Sequence, residues 1–130
     1  MGSSNRRIRV VVADDSRTAL RAVCKHLELD GRFEIVGIAT DGVRLLHQTQ
    51  RHMPDLVLAD LSMPRMNGLQ AANELRKAFP ALRVLIFSGL QGASIRDECL
   101  KHGADGFLSK SQMPENLMQE VSNLFPNPAD

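Results

Sequence analysis

Apolar runs of strand length recur at intervals along the chain: Ile8 to Ala13, Phe33 to Ile38, Leu56 to Ala59, Leu82 to Phe87 and a shorter Gly106 to Leu108. Stretches with helical period separate them. Leu20, Val23 and Leu27 fall on one helical face that Ser16 is placed to cap. Val43 and Leu46, with Gln50 a turn further on, mark a weaker second helix. Leu69, Ala72, Leu75 and Phe79 mark a third, which Pro80 stops. Ile95 and Cys99 mark a fourth, with Gly103 near its C′ position, and Leu117, Val121 and Leu124 a fifth.

Strands that alternate with helices imply a parallel sheet with helices on both faces, because each crossover places its helix over the sheet. The expected fold is therefore α/β, a five-stranded parallel doubly wound sheet of flavodoxin-like type with strand order 2-1-3-4-5. Residues 8–125 form the domain. Residues 1–7 read as an N-terminal extension, and Pro126-Asn127-Pro128 breaks the last helix, so 126–130 read as a tail or the start of a linker.

Composition narrows the class without deciding it. The chain has 130 residues, 43% hydrophobic and 24% charged, which suits one soluble domain with a real core. A net charge of +1 argues for neither nucleic acid nor membrane binding by the domain as a whole. No apolar run approaches the ~20 residues needed to span a bilayer, and Met1 to Ser4 lacks the apolar region of a signal peptide. Arg6, Arg7 and Arg9 read as a solvated strand entrance. Cys24 and Cys99 have no metal spacing and read as small buried hydrophobes, in keeping with a reducing cytoplasm. His26, His47, His52 and His102 show no metal-site spacing either.

Ligands of such sheets bind at the carboxyl ends of the strands, so the residues that leave each strand carry the chemistry. Strand one exits into Asp14 and Asp15, strand three into Asp60, strand four into Ser88 and Gly89, strand five into Ser109 and Lys110. Singly these are unremarkable: an acidic pair at a helix start, a turn-capping aspartate, a surface lysine. Together they place three carboxylates, a hydroxyl and an ammonium on one edge. Three carboxylates raise one another's pKa values unless a cation compensates. Magnesium takes oxygen ligands and commonly pairs carboxylates with phosphate. Lys110 would add a second positive charge, and the backbone N–H groups of Leu61, Ser62 and Gly89 would cradle a phosphoryl group. One carboxylate could equally be a nucleophile that forms an aspartyl phosphate.

VVADDS (11–16), LADLSMPRMNG (58–68), LIFSG (85–89) and GADGFLSK (103–110) occur in order at the strand ends, and on them the chain resembles the receiver domain of bacterial two-component response regulators, from about Ile8 to Leu124. The resemblance implies that Asp60 accepts a phosphoryl group from a sensor histidine kinase and that Mg²⁺ is held by Asp14, Asp15, Asp60 and the Ser62 carbonyl, with Asp15 direct and Asp14 mainly through water. It implies Lys110 as the phosphate cation, Ser88 as the switch hydroxyl and Phe107 as the switch aromatic. Phosphorylation would draw Ser88 inward, Phe107 would follow, and a face including Ile95, Arg96, Glu98 and Lys101 would change for a partner, most simply a second receiver. The domain would be a switch rather than an enzyme.

MPRMNGLQAANELR and HGADGFLSK look most similar to regulators whose receiver precedes a LuxR-like helix-turn-helix, so DNA would be reached only through an output domain outside these residues. Phe107 lacks the hydroxyl of a switch tyrosine. Three other readings stand beside this one: a receiver-like interaction module that is never phosphorylated, a haloacid dehalogenase-like hydrolase, and a flavodoxin-like cofactor binder. The hydrolase needs a second acid where this chain has Ser62. The cofactor binder is weakened by the absence of Trp, of Tyr and of a Ser/Thr-rich loop after strand one.

Overall fold

The computed structural model describes residues 6–90, 92–113 and 115–125. The tail 126–130 and the first five residues lie outside them. Five parallel strands run in the order β2-β1-β3-β4-β5, as expected: β1 (Ile8–Ala13), β2 (Phe33–Ala39), β3 (Leu56–Asp60), β4 (Arg83–Ser88) and β5 (Gly106–Ser109). Between and after them lie α1 (Arg17–Asp30), α2 (Gly42–His52), α3 (Gly68–Ala78), α4 (Ala93–Lys101) and α5 (Leu117–Leu124). The last four strands each end one residue later than the apolar runs suggest. Asp60, Ser88 and Ser109 are polar, yet they stay in the ladder because their neighbours still offer backbone partners: Asp60 pairs with Phe87 and Ser88 with Ser109.

The pleat sorts the core into two layers. Val10 and Val12, Leu56 and Leu58, Leu85 and Phe87, and Leu108 face one side, where Leu20, Val23 and Leu27 of α1 meet Leu117 and Val121 of α5. Val11 and Ala13, Val57 and Ala59, Val84 and Ile86, and Phe107 face the other, with Leu45 of α2, Ala71, Ala72 and Leu75 of α3 and Cys99 of α4. β3, central and covered twice, is buried at all five positions, whereas edge strand β2 leaves Glu34 and Ile38 exposed.

The helices begin where local chemistry satisfies their free N–H groups. The Ser16 hydroxyl accepts from Ala19 N at 3.2 Å, as its position predicts. Asp41 caps α2 through Arg44 N, and Asn67 and Gln70 form a reciprocal capping box on α3. Gly31 (φ +84°) closes α1, and Gly103 (φ +109°) follows the end of α4. Two expectations need correction. α2 lies where expected, but its deepest side chains are Leu45 and Thr49, with Leu46 partly buried against the same core and Val43 half-buried. Thr49 is tolerated inside because its hydroxyl donates to the Leu45 carbonyl at 2.8 Å, while Gln50 points to solvent. Cys99 is fully buried but Cys24 only in part.

α4 is the least committed helix. Cys99 is its sole buried residue, and its N-cap Gly92 offers no side chain. Its carboxyl end is better held. Arg76 of α3 donates to the carbonyls of Gly103, Pro80 and Leu82 and pairs with Asp105, whose carboxylate also accepts from Val84 N at 2.8 Å.

Candidate functional site

The alternation of each strand carries past its end and sets up the site. Val10, Val12 and Asp14 share a parity, as do Leu56, Leu58 and Asp60, and Leu108 and Lys110, and all the apolar members of these series face α1 and α5. The two carboxylates and the ammonium therefore arrive at one corner. Lys110 Nζ donates to Asp60 Oδ2 at 3.0 Å and to Asp14 Oδ2 at 3.2 Å. Both acids are buried, at 4% and 0% exposure, and Asp15 beside them is exposed. One carboxylate oxygen from each of Asp14, Asp15 and Asp60 lies within 4.8 Å of the others. A set of three hard oxygen donors with one side open to water suits a Mg²⁺ ion.

Backbone donors orient the acids. Ser16 N donates to Asp14 Oδ1 at 2.9 Å, and Ser62 N to Asp60 Oδ1 at 3.2 Å. A short 3₁₀ turn, Lys110–Gln112, presents the lysine, and Ser109 and Gln112 close it with a capping box. Lys110 Nζ also lies 5.5 Å from the centroid of the Phe87 ring. Burial raises the Asp60 carboxyl above the ordinary carboxylate range. The Lys110 and Ser62 hydrogen bonds oppose that rise, and the Asp14 charge adds to it. Burial alone would lower the Lys110 ammonium, but its bonds to Asp60 and Asp14 prevail and raise it. A carboxyl that resists ionisation beside a lysine that stays charged is a site short of positive charge.

Ser88 belongs to the opposite parity, with Val84 and Ile86, on the α4 side of the sheet. Its hydroxyl is buried and accepts from Leu90 N at 3.0 Å. Phe107 is paired with Ile86, two residues along β4 from Ser88. The ring is 6% exposed and packed in the α4-side core. Leu61 is a correction. Its N–H donates to the Phe87 carbonyl at 2.9 Å and extends the ladder, so it is not free to cradle a phosphoryl group. Ser62 and Gly89 stay exposed at the mouth. Of the expected partner face, Arg96, Glu98 and Lys101 are exposed and Ile95 is half-buried.

Three features of the site were not read from the sequence. Ser109-x-x-Gln112 is a capping-box pattern that was there to be seen. The contact of Asp41 with Arg65, and the four-way bonding of Arg76, join residues distant in sequence and leave no local signature.

The family model for the response regulator receiver domain matches residues 10–122. The chain is 36% identical over 115 residues to the transcriptional regulatory protein NarL of Mycobacterium tuberculosis, covering 88% of this chain and 53% of that protein. It is 30% identical over 115 residues to the transcriptional regulatory protein DegU of Brevibacillus brevis, covering 88% and 49%. It spans about half the length of these relatives. The chemotaxis protein CheY of Thermotoga maritima is matched over 96% of its length, at 28% identity and 89% of this chain. The solved signal receiver domain of the M. tuberculosis NarL superposes with a TM-score of 0.85 at 35% identity, over 91% of this chain and 95% of that one. The strand-end chemistry, the sheet order and these matches lead to one assignment: the chain belongs to the response regulator receiver domain family.

Proposed function

We propose that this domain is a phosphorylation switch in which Asp60 accepts a phosphoryl group from a phosphohistidine of a sensor kinase. The observation that carries the reading is the Lys110 ammonium bridging Asp14 and Asp60, with exposed Asp15 beside them. An Asp60 carboxylate oxygen attacks phosphorus, the P–N bond to the histidine breaks, and the released imidazole nitrogen takes up a proton. Asp14, Asp15, Asp60 and the Ser62 carbonyl would hold Mg²⁺, which supplies a hard positive charge against the phosphoryl oxygens. Lys110 neutralises the remaining charge, and the exposed N–H of Gly89 and the Ser62 N–H are the backbone donors at the mouth.

The added charge of about −1.5 to −2 gives Ser88 a partner stronger than Leu90 N. Transfer of the Ser88 hydroxyl toward the phosphoryl group releases the start of the loop before α4, the helix with the fewest buried residues. Phe107, already inside, sets which arrangement of that loop packs best. The exposed side chains of Arg96, Glu98 and Lys101, with Leu90 at 56% exposure, form the changing face for a partner such as a second receiver. In the cytoplasm, transcription would be regulated through an output domain beyond these residues, as for the transcriptional regulatory proteins NarL and DegU. No helix among the described residues is long and apolar enough to cross a membrane.

The test is incubation with acetyl phosphate and Mg²⁺, read by intact mass. One phosphoryl group is expected on the native chain and none on Asp60→Asn. A fully labelled Asp60→Asn protein, or a native chain that never labels, rejects the assignment. The second outcome would favour the unphosphorylated interaction module.

A further inference from the structure

Asp41 has no part in the acid cluster, yet it is a nearly buried carboxylate with one partner on α2 and another on the loop between β3 and α3. It lies between β2 and α2, 5% exposed. Its Oδ1 accepts from Arg44 N at 2.8 Å. Its Oδ2 lies 3.5 Å from Arg44 Nε and 3.8 Å from Arg65 Nε. Capping α2 needs only an oxygen, which Asn, Ser or Thr would supply equally. The charge does something else.

Arg65 belongs to the loop between β3 and α3, the loop that begins at Asp60. It holds φ +68°, a left-handed conformation that side-chain-bearing residues seldom adopt without an outside hold. The next residue presses on the same place: a Cβ added to Gly42 would lie 2.0 Å from the Met66 carbonyl oxygen. Met66 N in turn donates to the Pro64 carbonyl at 2.7 Å, and Gly68 N to the Leu61 carbonyl at 2.9 Å. The segment from Leu61 to Gly68 is thus a closed loop seated on the amino end of α2. Met63, 8% exposed, pins its other flank to the core.

We infer that Asp41 is a positioning residue for the phosphoacceptor loop: its carboxylate holds Arg65, and with it the loop from Ser62 to Met66, against the start of α2. The consequence lies at Ser62, whose N–H meets Asp60 and whose carbonyl is proposed for the metal. An anchor on the outer turn of the loop limits how far Ser62 can move when charge arrives at Asp60. This inference rests on the proposed role of Asp60 for its functional meaning, though the anchoring itself does not.

Three variants of the full chain test it: Asp41→Asn, Arg65→Gln and the double variant. Asn keeps the cap on Arg44 N and loses the charge, so the melting temperature should stay close to native. Amide exchange at Ser62, Arg65 and Met66, read by NMR on the metal-free protein, should quicken by about threefold in each single variant, the range of a partly exposed ion pair. Mg²⁺ affinity should fall by a similar factor. The double variant should be no worse than either single one, because both remove the same contact. Unchanged loop amides in Asp41→Asn, or single effects that add in the double variant, overturn the inference. Failure of the native chain to label with acetyl phosphate would reject the phosphoacceptor reading and leave the exchange result to decide on the anchor.

Discussion

Gly68 sits so close to Asp60 that a Cβ on the glycine would lie 2.4 Å from the Asp60 carbonyl oxygen. Asp60 cannot yield, because it is the last residue of a fully buried central strand and is paired with Phe87. Gly68→Ala should therefore displace α3 rather than the strand. The expected cost is about 1–3 kcal/mol, measured by urea unfolding. An unfolding midpoint equal to the native one would show that α3 starts with more slack than this distance allows.

The raised carboxyl of Asp60 makes a statement about pH. A carboxyl whose folded pKa lies above its unfolded value loses stability as pH rises through the window between the two. At neutral pH the metal-free protein thus carries the cost of an ionised, buried Asp60. Asp60→Asn should stabilise it by about 1 kcal/mol or less, the mouth being open to solvent screening. The gain should shrink as pH falls from the raised pKa toward the ordinary carboxylate value of 3.8. Chemical denaturation of both proteins at several pH values, without metal, would reveal it. A gain that grows on acidification would mean that Lys110 already overcompensates the burial.

Metal binding should divide the acidic pair. Asp15 is exposed and free to ligate directly, whereas Asp14 already accepts from Ser16 N and Lys110. Asp15→Asn is expected to weaken Mg²⁺ binding by about tenfold or more, and Asp14→Asn by less. Calorimetric titration would measure both. Equal affinities for native protein and Asp15→Asn would remove Asp15 from the ligand set.

Lys110→Ala should separate labelling from response. It takes away the ammonium that touches both buried acids, so phosphorylation should slow and the amide shifts of α4 on adding beryllofluoride, a phosphoryl mimic, should diminish. Ser88→Ala should spare labelling and still blunt those shifts, since its hydroxyl lies on the other side of the sheet and bonds to Leu90 N. Native-size shifts of α4 in both variants would disconnect the site from the helix.

Arg76 tests the anchoring of α4 at its carboxyl end. Arg76→Ala strips partners from three carbonyls and from Asp105, for an expected loss of about 2–4 kcal/mol. Arg76→Lys should recover little, because an ammonium cannot reproduce the fork of the guanidinium. Thermal melts of the two variants would show it, and a lysine variant as stable as native would refute it.

Every strand could be read from the apolar runs, because buried parallel strands have little choice of composition, and their order rested on right-handed crossovers and the family resemblance. Asp14, Asp15, Asp60 and Lys110 were legible for a related reason: the fold brings strand ends together whatever the loops do. The path of the loops was not. Leu61 looked like a free donor because nothing local says that the ladder reaches it. The depth of Phe107 was not legible because it depends on Ile86 and Cys99, on other elements. The role of Asp41 was hidden for the same reason, since its partner Arg65 comes from a different loop.

The pleat that sends Asp14, Asp60 and Lys110 toward α1 and α5, and Ser88 and Phe107 toward α4, makes the sheet a partition between two rooms. Its interior is packed on both sides, so the short way between the rooms runs around the strand ends, past Ser88 and Leu90. Under the proposed function, a donor that reached Asp60 from the α1 side and a recipient that read α4 would touch different walls. Substitutions that retuned the one could then accumulate without altering the other.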